Sequence, residues 1–488
     1  MIAAPNSAPR RTGCVVILCS TAWGIRNVVL SGMLDDLRRD IDVRLLTSNS
    51  ARNALSETCD AVGQEALRKV EPRRHDPLGV LLNASFSRRH QLRSFSTFQQ
   101  RLAPEPELAR RAWRHAISWL AIPGAWRPLL DWQVAADRRR TRRLRGMDEV
   151  RAQLRSLSPA LVVSTASVVP DEAAYVRAAT DLGIPTLGCI LSFDNLSSRG
   201  RQPAFTHYAV WGPWMRDQVL RLYPDSTPLQ VHVTGTPQFD LHRRPAYTGS
   251  RAEALARLGL APHERYVLYA ANCARFTPTE PALVVEYCHR LAASAAMHGH
   301  RVVLRPHPAD DVARWQPALA SAPGLVLSTP HARDGRFGTE EAQAKLVSSV
   351  AHADVCVNMA STMSLDAAVL DVPAVCVGFA LARGSVEDRL AAACHATTHY
   401  APIVESGAVR LAHSMDELVN ETIAYSRDRT RDAAERRQLV LEMCGPADGN
   451  AGGRLARLIR DLVGLPAPAL RQGAPRPAAR QTSSGAIA

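Results

Sequence analysis

Short apolar runs rich in Val, Ile, Leu and Cys recur along these 488 residues, each stopping at a turn residue and giving way to a longer stretch of helical periodicity. Strands buried on both faces read as continuous apolar runs, and parallel neighbours need a long crossover, so this alternation predicts parallel sheets covered by helices. The first half offers runs at 14–19, 42–47, 161–165, 186–191, 207–211 and 230–234; the second offers 266–271, 302–305, 325–328, 355–358 and 374–377. Two separate Rossmann-like sheets follow, with a junction over 237–250, where Thr236-Pro237 and Arg243-Arg244-Pro245 end the strand pattern. Residues 1–240 and 241–428 are the two expected domains. Residues 429–465 read as helices packing back across the junction, interrupted over 445–453 and resuming at 454–462, and 466–488 as a disordered tail.

Composition narrows the setting. With 46% hydrophobic and 22% charged residues the chain can build two sizeable cores. Ten cysteines are scattered singly with no CxxC pair, which points to reduced, buried usage and a cytoplasmic location rather than disulfides or zinc. Arg10-Arg11 precedes an apolar run, but that run is short and reads as a first core strand, not an export signal. No apolar stretch approaches the ~20 residues of a spanning helix.

The formal charge is +13, and residues 86–145 carry most of it, with 14 arginines against 4 carboxylates. Residues 68–150 fit neither sheet pattern and are expected as a helical insertion in the first domain. Within them, 115–132 combines Ile117, Trp119, Leu120, Trp126, Leu129, Leu130 and Trp132 with flanking arginines. One reading is a platform for an anionic membrane surface or a lipid-linked acceptor, on the inner face of the membrane. The other is a solvated basic helix pair over a small satellite core. No motif of a nucleic-acid module accompanies the charge, so nucleic acid is not an expected partner.

In open α/β sheets ligands bind at the carboxyl ends of strands, so the residues just after each run are the candidates. His307, held between Pro306 and Pro308 and preceded by Arg305, is placed to donate to a phosphate and to meet negative charge on a leaving group. Asn358, Ser361 and Thr362 lie at a strand-to-helix turn suited to a diphosphate, and Asp366, one turn later, is within reach of ribose hydroxyls or serves as a helix-dipole partner. After run 266–271 come Asn272 and Arg275, the latter a charge clamp or a surface arginine. From the first domain, Asp194 is a candidate general base for an acceptor hydroxyl or a turn cap, with Asn195 beside it. Gly24, Arg26 and Asn27 follow the first strand on the same, acceptor side; a lone glycine there is far from GxGxxG.

Taken together, "SFDNLSSRG", "VTGTPQFD", "LRPHP" and "NMASTMSLDAAVLDVPAVCVGF" resemble GT-B transferases of bacterial surface-polymer synthesis. The likeness is to the CDP-glycerol glycerophosphotransferase and capsule-polysaccharide group, and more distantly to UDP-N-acetylglucosamine 2-epimerase. It covers about 155–465. The resemblance implies a GT-B fold with a central cleft, His307 on the donor's phosphates, Ser361 and Thr362 as a phosphate-binding pair, and Asp366 where such enzymes often carry a ribose-binding Glu. Asp448-Gly449 resembles a late Asp-Gly turn of the same group. The implied activity is transfer from a nucleotide-sugar or CDP-activated donor to a hydroxyl acceptor, with no cofactor and no metal, Asp194 acting as base. An epimerase acting on a nucleotide sugar and a membrane-associated, non-catalytic scaffold are the competing readings.

Overall fold

The computed structural model describes residues 13–48, 64–71, 76–102, 107–328 and 339–464; the expected disordered tail at 466–488 lies outside them. Seven parallel strands form the first sheet, in the order β3-β2-β1-β4-β5-β6-β7: β1 (Val15–Cys19), β2 (Val43–Thr47), β3 (Gln64–Ala66), β4 (Leu161–Ser164), β5 (Thr186–Cys189), β6 (His207–Val210) and β7 (Val231–Val233). Six form the second, in the order β10-β9-β8-β11-β12-β13: β8 (Arg265–Ala270), β9 (His300–Arg305), β10 (Leu325–Leu327), β11 (Val355–Asn358), β12 (Ala374–Val377) and β13 (Val409–Ala412). Every pairing is parallel.

The continuous apolar runs have a direct structural cause, because successive residues feed opposite faces. Val15 and Ile17 enter one core while Val16 and Leu18 enter another, and Val267 and Tyr269 part from Tyr266 and Leu268 in the same way. The two strands with no counterpart in the sequence reading, β3 and β13, are both sheet edges. The first is three polar-leaning residues long, and the second carries Arg410, whose guanidinium donates to Asp432. Edge strands need only half an apolar pattern, so their runs are too broken to stand out.

The terminal helix differs from expectation in its start. It runs Ala451–Val463, three residues earlier than the break over 445–453 implied. Gly452 and Gly453 are inside the helix because its first amides are capped from elsewhere: the buried Asp240 carboxylate accepts from Ala451 N–H and Gly452 N–H, both at 2.8 Å. Arg454 donates to the Thr234 carbonyl at 2.7 Å and pairs with Asp448 at 2.8 Å, and buried Arg460 pairs with Asp36 and Asp40. Leu455, Ile459 and Val463 thereby complete the core beneath β1, β2 and β4. The VTGTPQFD and Asp-Gly segments thus meet as parts of one clamp.

Between β3 and β4 the described residues form five helices, Pro77–Arg89, Phe95–Leu102, Leu108–Gly124, Arg127–Thr141 and Met147–Leu157. Phe86 anchors the first against Tyr223 of the sheet domain. Arg93, just before the second, exchanges backbone and side-chain hydrogen bonds with Thr398 of the second domain at 2.7 and 2.8 Å. The insertion therefore touches both halves.

Candidate functional site

Each sheet grows in one direction from β1 or β8 and then in the other from β4 or β11, so the crevices between β1 and β4 and between β8 and β11 are the switch points where such sheets bind ligands. The first is filled by protein. Glu172, fully buried at the start of helix Pro170–Asp181, accepts from Ser20 N–H and hydroxyl (3.0 and 2.5 Å), Ser164 hydroxyl (2.7 Å) and Ala166 N–H (2.8 Å). Burial raises its pKa despite these donors. Gly24 packs so tightly here that an added Cβ would stand 2.6 Å from Thr165 Oγ1 and 3.1 Å from Cys19 Sγ. This close packing accounts for a glycine at position 24.

The second switch point is built differently. Buried Glu280 sits behind the 271–277 loop, accepting from Asn272 N–H at 3.0 Å and Thr277 hydroxyl at 2.9 Å, and burial pushes its pKa up to about 7. Asp310 takes the Ala274 N–H at 3.0 Å and pairs with Arg314. The loop is thus pinned from below and its upper surface left open. Asn272, Phe276, Met359, Ala360, Leu390 and His399 line a pocket of about 170 Å³ above it.

Around the β11 turn the predicted residues divide. Asn358 is not a donor-binding group: fully buried, it accepts from Ser361 N–H at 3.1 Å and donates to Ser364 at 3.0 Å, so it shapes the turn. Ala360 takes φ +45°, a left-handed conformation that a non-glycine residue adopts only when its surroundings impose it. Ser361 and exposed Thr362 then open helix Met363–Val369, and the Thr362 hydroxyl makes no capping bond. Asp366 is 6% exposed and accepts from His242 at 2.9 Å; in this conformation it is bound to the interdomain segment and not open to a ribose.

What Asp366 faces is more informative. Its charge acts on Arg26 from the first domain and Arg305 from the end of β9, both buried and both lowered by desolvation to a pKa of about 10. Arg26 donates to Gln238, and Lys345 is depressed by burial and then by Arg305. Arg305 is 7% exposed, and its Nη1 has no hydrogen-bond partner among the described residues. Two buried guanidinium groups thus share one buried carboxylate where the domains adjoin, and half-buried Lys345 stands next to Arg305 with Glu341 as its own counter-charge.

His307 stands beyond Arg305, solvent-exposed yet crowded enough that desolvation lowers its pKa. Its Nδ1 accepts from Ala309 N–H at 3.1 Å, which leaves the neutral ring's hydrogen on Nε2 as a free donor. Strands β9 and β11 are separated only by β8, so the ends bearing His307 and Ser361 lie on the order of 10 Å apart on one edge.

Other candidates fall outside this arrangement. Arg275 is exposed, its guanidinium 5.7 Å from the Phe276 ring centre, and is no part of the cation cluster. Asn195 is buried, donating to Asp194 and accepting from Gln202 through its carbonyl. Asn27, which accepts from Arg26 at 3.3 Å, lines a small apolar pocket of the first domain. Asp194 is drawn into its own loop, accepting from Ser198 Oγ at 2.5 Å and Asn195 at 3.2 Å. Beside it stands His399, which no motif announced. Its ring bonds Ser197 across the domains at 3.2 Å and packs edge-on to Phe193; burial lowers its pKa while Asp194 raises it. His242 and Lys345 were equally silent, the one in a linker and the other on a helix face.

The sequence matches no protein-family model and no curated protein. Solved structures match over nearly the whole chain. A UDP-N-acetylglucosamine 2-epimerase superposes with a TM-score of 0.55 at 12% identity, covering 93% of this chain and 97% of its own. The UDP-GlcNAc 2-epimerase from Neisseria meningitidis, solved bound to UDP-GlcNAc, gives 0.52 at 12% identity, with 92% and 100% covered. The glycotransferase of kitacinnamycin gives 0.50 at 13% identity, with 94% and 100% covered. The chain has the GT-B fold: two parallel-sheet α/β domains, the first bearing a helical insertion.

Proposed function

We propose that the chain is a GT-B glycosyltransferase-like enzyme, moving a sugar or polyol phosphate from a nucleotide-activated donor to an acceptor hydroxyl in surface-polysaccharide or glycoconjugate synthesis. One observation carries the reading: Arg26 and Arg305 are buried around a single carboxylate, Asp366, at the cleft, and Arg305 keeps an Nη1 with no hydrogen-bond partner among the described residues. Burying positive charge in excess is costly, and a diphosphate supplies the negative charge that compensates it. The Nε2–H of His307 and the hydroxyls of Ser361 and Thr362 stand on the same edge to hold the departing nucleotide, while Phe276 and Leu390 offer an apolar wall to a base.

The acceptor proton needs a base at the first domain's side of the cleft. His399, kept neutral near pH 7 by its lowered pKa, takes that role, and the charge of Asp194 stabilises the imidazolium that forms. Asp194 so keeps a part in catalysis without itself receiving the proton.

Melting curves with UDP-, CDP- and GDP-linked donors test the reading: one nucleotide class should raise the melting temperature in a concentration-dependent way. Product analysis then separates the chemistries. Transfer only in the presence of an acceptor is the expected result; epimerised nucleotide sugar formed without acceptor would replace a transferase with an epimerase. No shift with any nucleotide would leave the inert scaffold.

A further inference from the structure

The helix Leu108–Gly124 is apolar on two sides, and only one is covered. Ile117, Ala121 and Gly124 face the protein. A second stripe, Leu108, Ala112, Ala116 and Trp119, follows i, i+4, i+8, i+11 spacing, which keeps it on one face, and all four residues are exposed. Trp119 is 71% exposed, and Trp126, in the connection to helix Arg127–Thr141, is 68% exposed; Leu120, Ile122 and Trp132 are also open to solvent. Single exposed apolar side chains are ordinary, but a contiguous patch of this size marks a docking surface.

Charge identifies the occupant. Residues 107–145 hold ten arginines and three carboxylates, and Arg111 and Arg139 on these helices and Arg143 in the turn after them are exposed. A surface so cationic repels a second copy of itself and attracts an anionic one. Nucleic acid would meet the arginines and stack on the tryptophans, but gives no burial to Leu108, Leu120 and Ile122. Tryptophans and aliphatic side chains flanked by arginine suit the boundary between headgroups and acyl chains.

We propose that the 108–141 helical hairpin docks this protein on an anionic lipid bilayer. No helix among the described residues is long and apolar enough to cross a membrane, so the hairpin lies in the interface plane. Through Arg93 and Thr398 the insertion that carries the hairpin is joined to the segment of Thr397 and His399, which line the pocket. The inference holds whatever reaction the cleft performs.

Flotation of the full chain with phosphatidylcholine vesicles, with and without phosphatidylglycerol, is the test. Binding is expected only with phosphatidylglycerol, weakening as salt rises and accompanied by a blue shift of tryptophan emission. Trp119→Ser with Trp126→Ser should lower the partition coefficient roughly tenfold. Arg111→Gln, Arg139→Gln and Arg143→Gln should cost about fivefold each, on the order of a hundredfold together, with the melting temperature unchanged. The proposal is overturned by absence of binding, by binding indifferent to the tryptophan substitutions, by a dimer that Trp119→Ser dissolves, or by duplex DNA displacing the vesicles at equal charge.

Discussion

The two sheets are laid out alike, each reversing its direction of growth beside its first strand, yet their switch points hold different things. In the first domain Glu172 takes four donors from the strand ends, and Gly24 lets the following turn close onto Thr165. In the second domain the comparable carboxylate, Glu280, stays behind its loop and leaves the upper surface open, with Arg305 buried at the end of the neighbouring strand β9. Alike layouts therefore carry unlike switch points. The half whose strand ends satisfy one another braces the fold, and the other keeps an unpartnered guanidinium nitrogen on Arg305 at its strand ends, which is what the proposed donor site rests on.

The largest effect should come from Arg305→Met. Turnover should fall on the order of a hundredfold or more and the nucleotide-induced rise in melting temperature should vanish. Without nucleotide the melting temperature should hold or increase, because a buried cation with an unpartnered nitrogen is replaced by an apolar side chain. Loss of stability without loss of nucleotide response would reverse the assignment of the two halves.

Next is pH. Glu280 has a pKa pushed up to about 7 from an ordinary 4.5, so the folded state holds this proton more tightly than the unfolded chain. Its contribution is full below the ordinary value and is lost as pH rises through about 7, a decline on the order of 3 kcal/mol. Urea unfolding across that window should show a shallower decline for Glu280→Gln; equal slopes would mean that the carboxyl is not held protonated behind the loop.

Gly24→Ala should cost ~2 kcal/mol by overpacking, recovered in part by adding Thr165→Ala. A neutral single variant would show that the first switch point has room after all. The smallest effect, ~1 kcal/mol, is expected for Asp240→Ala, read as lost hydrogen-exchange protection at Ala451 and Gly452. Unaltered protection there would mean that the terminal helix caps itself.

Much of this fold was legible because strand burial leaves a one-dimensional trace. The runs around Val15, Val355 and Ala374 required only local apolar composition to be found, and the turns that follow them placed His307, Ser361 and Thr362 on a common edge. What escaped was set by partners distant in the chain. Nothing near Asn358 says that its amide is spent on Ser361 and Ser364, nothing near Asp366 says that His242 lies 2.9 Å away, and nothing near His399 says that Ser197 faces it. Gly452 and Gly453 read as a helix break for the same reason, since the cap that offsets their weak propensity comes from Asp240.

That remote cap bears on how the protein is made. Val15, Leu45 and Val163 leave the ribosome long before Leu455 and Ile459, yet they share one core with them. Until residues 451–463 arrive, the face of the first sheet bearing Val15, Leu45 and Val163 is covered, among the described residues, only by the helices of residues 22–37, which bring Ile25, Val28, Met33, Leu34 and Leu37. A nascent chain of this design keeps part of that apolar face uncovered until its last helix emerges, the kind of transiently exposed surface that makes a folding chain prone to aggregate.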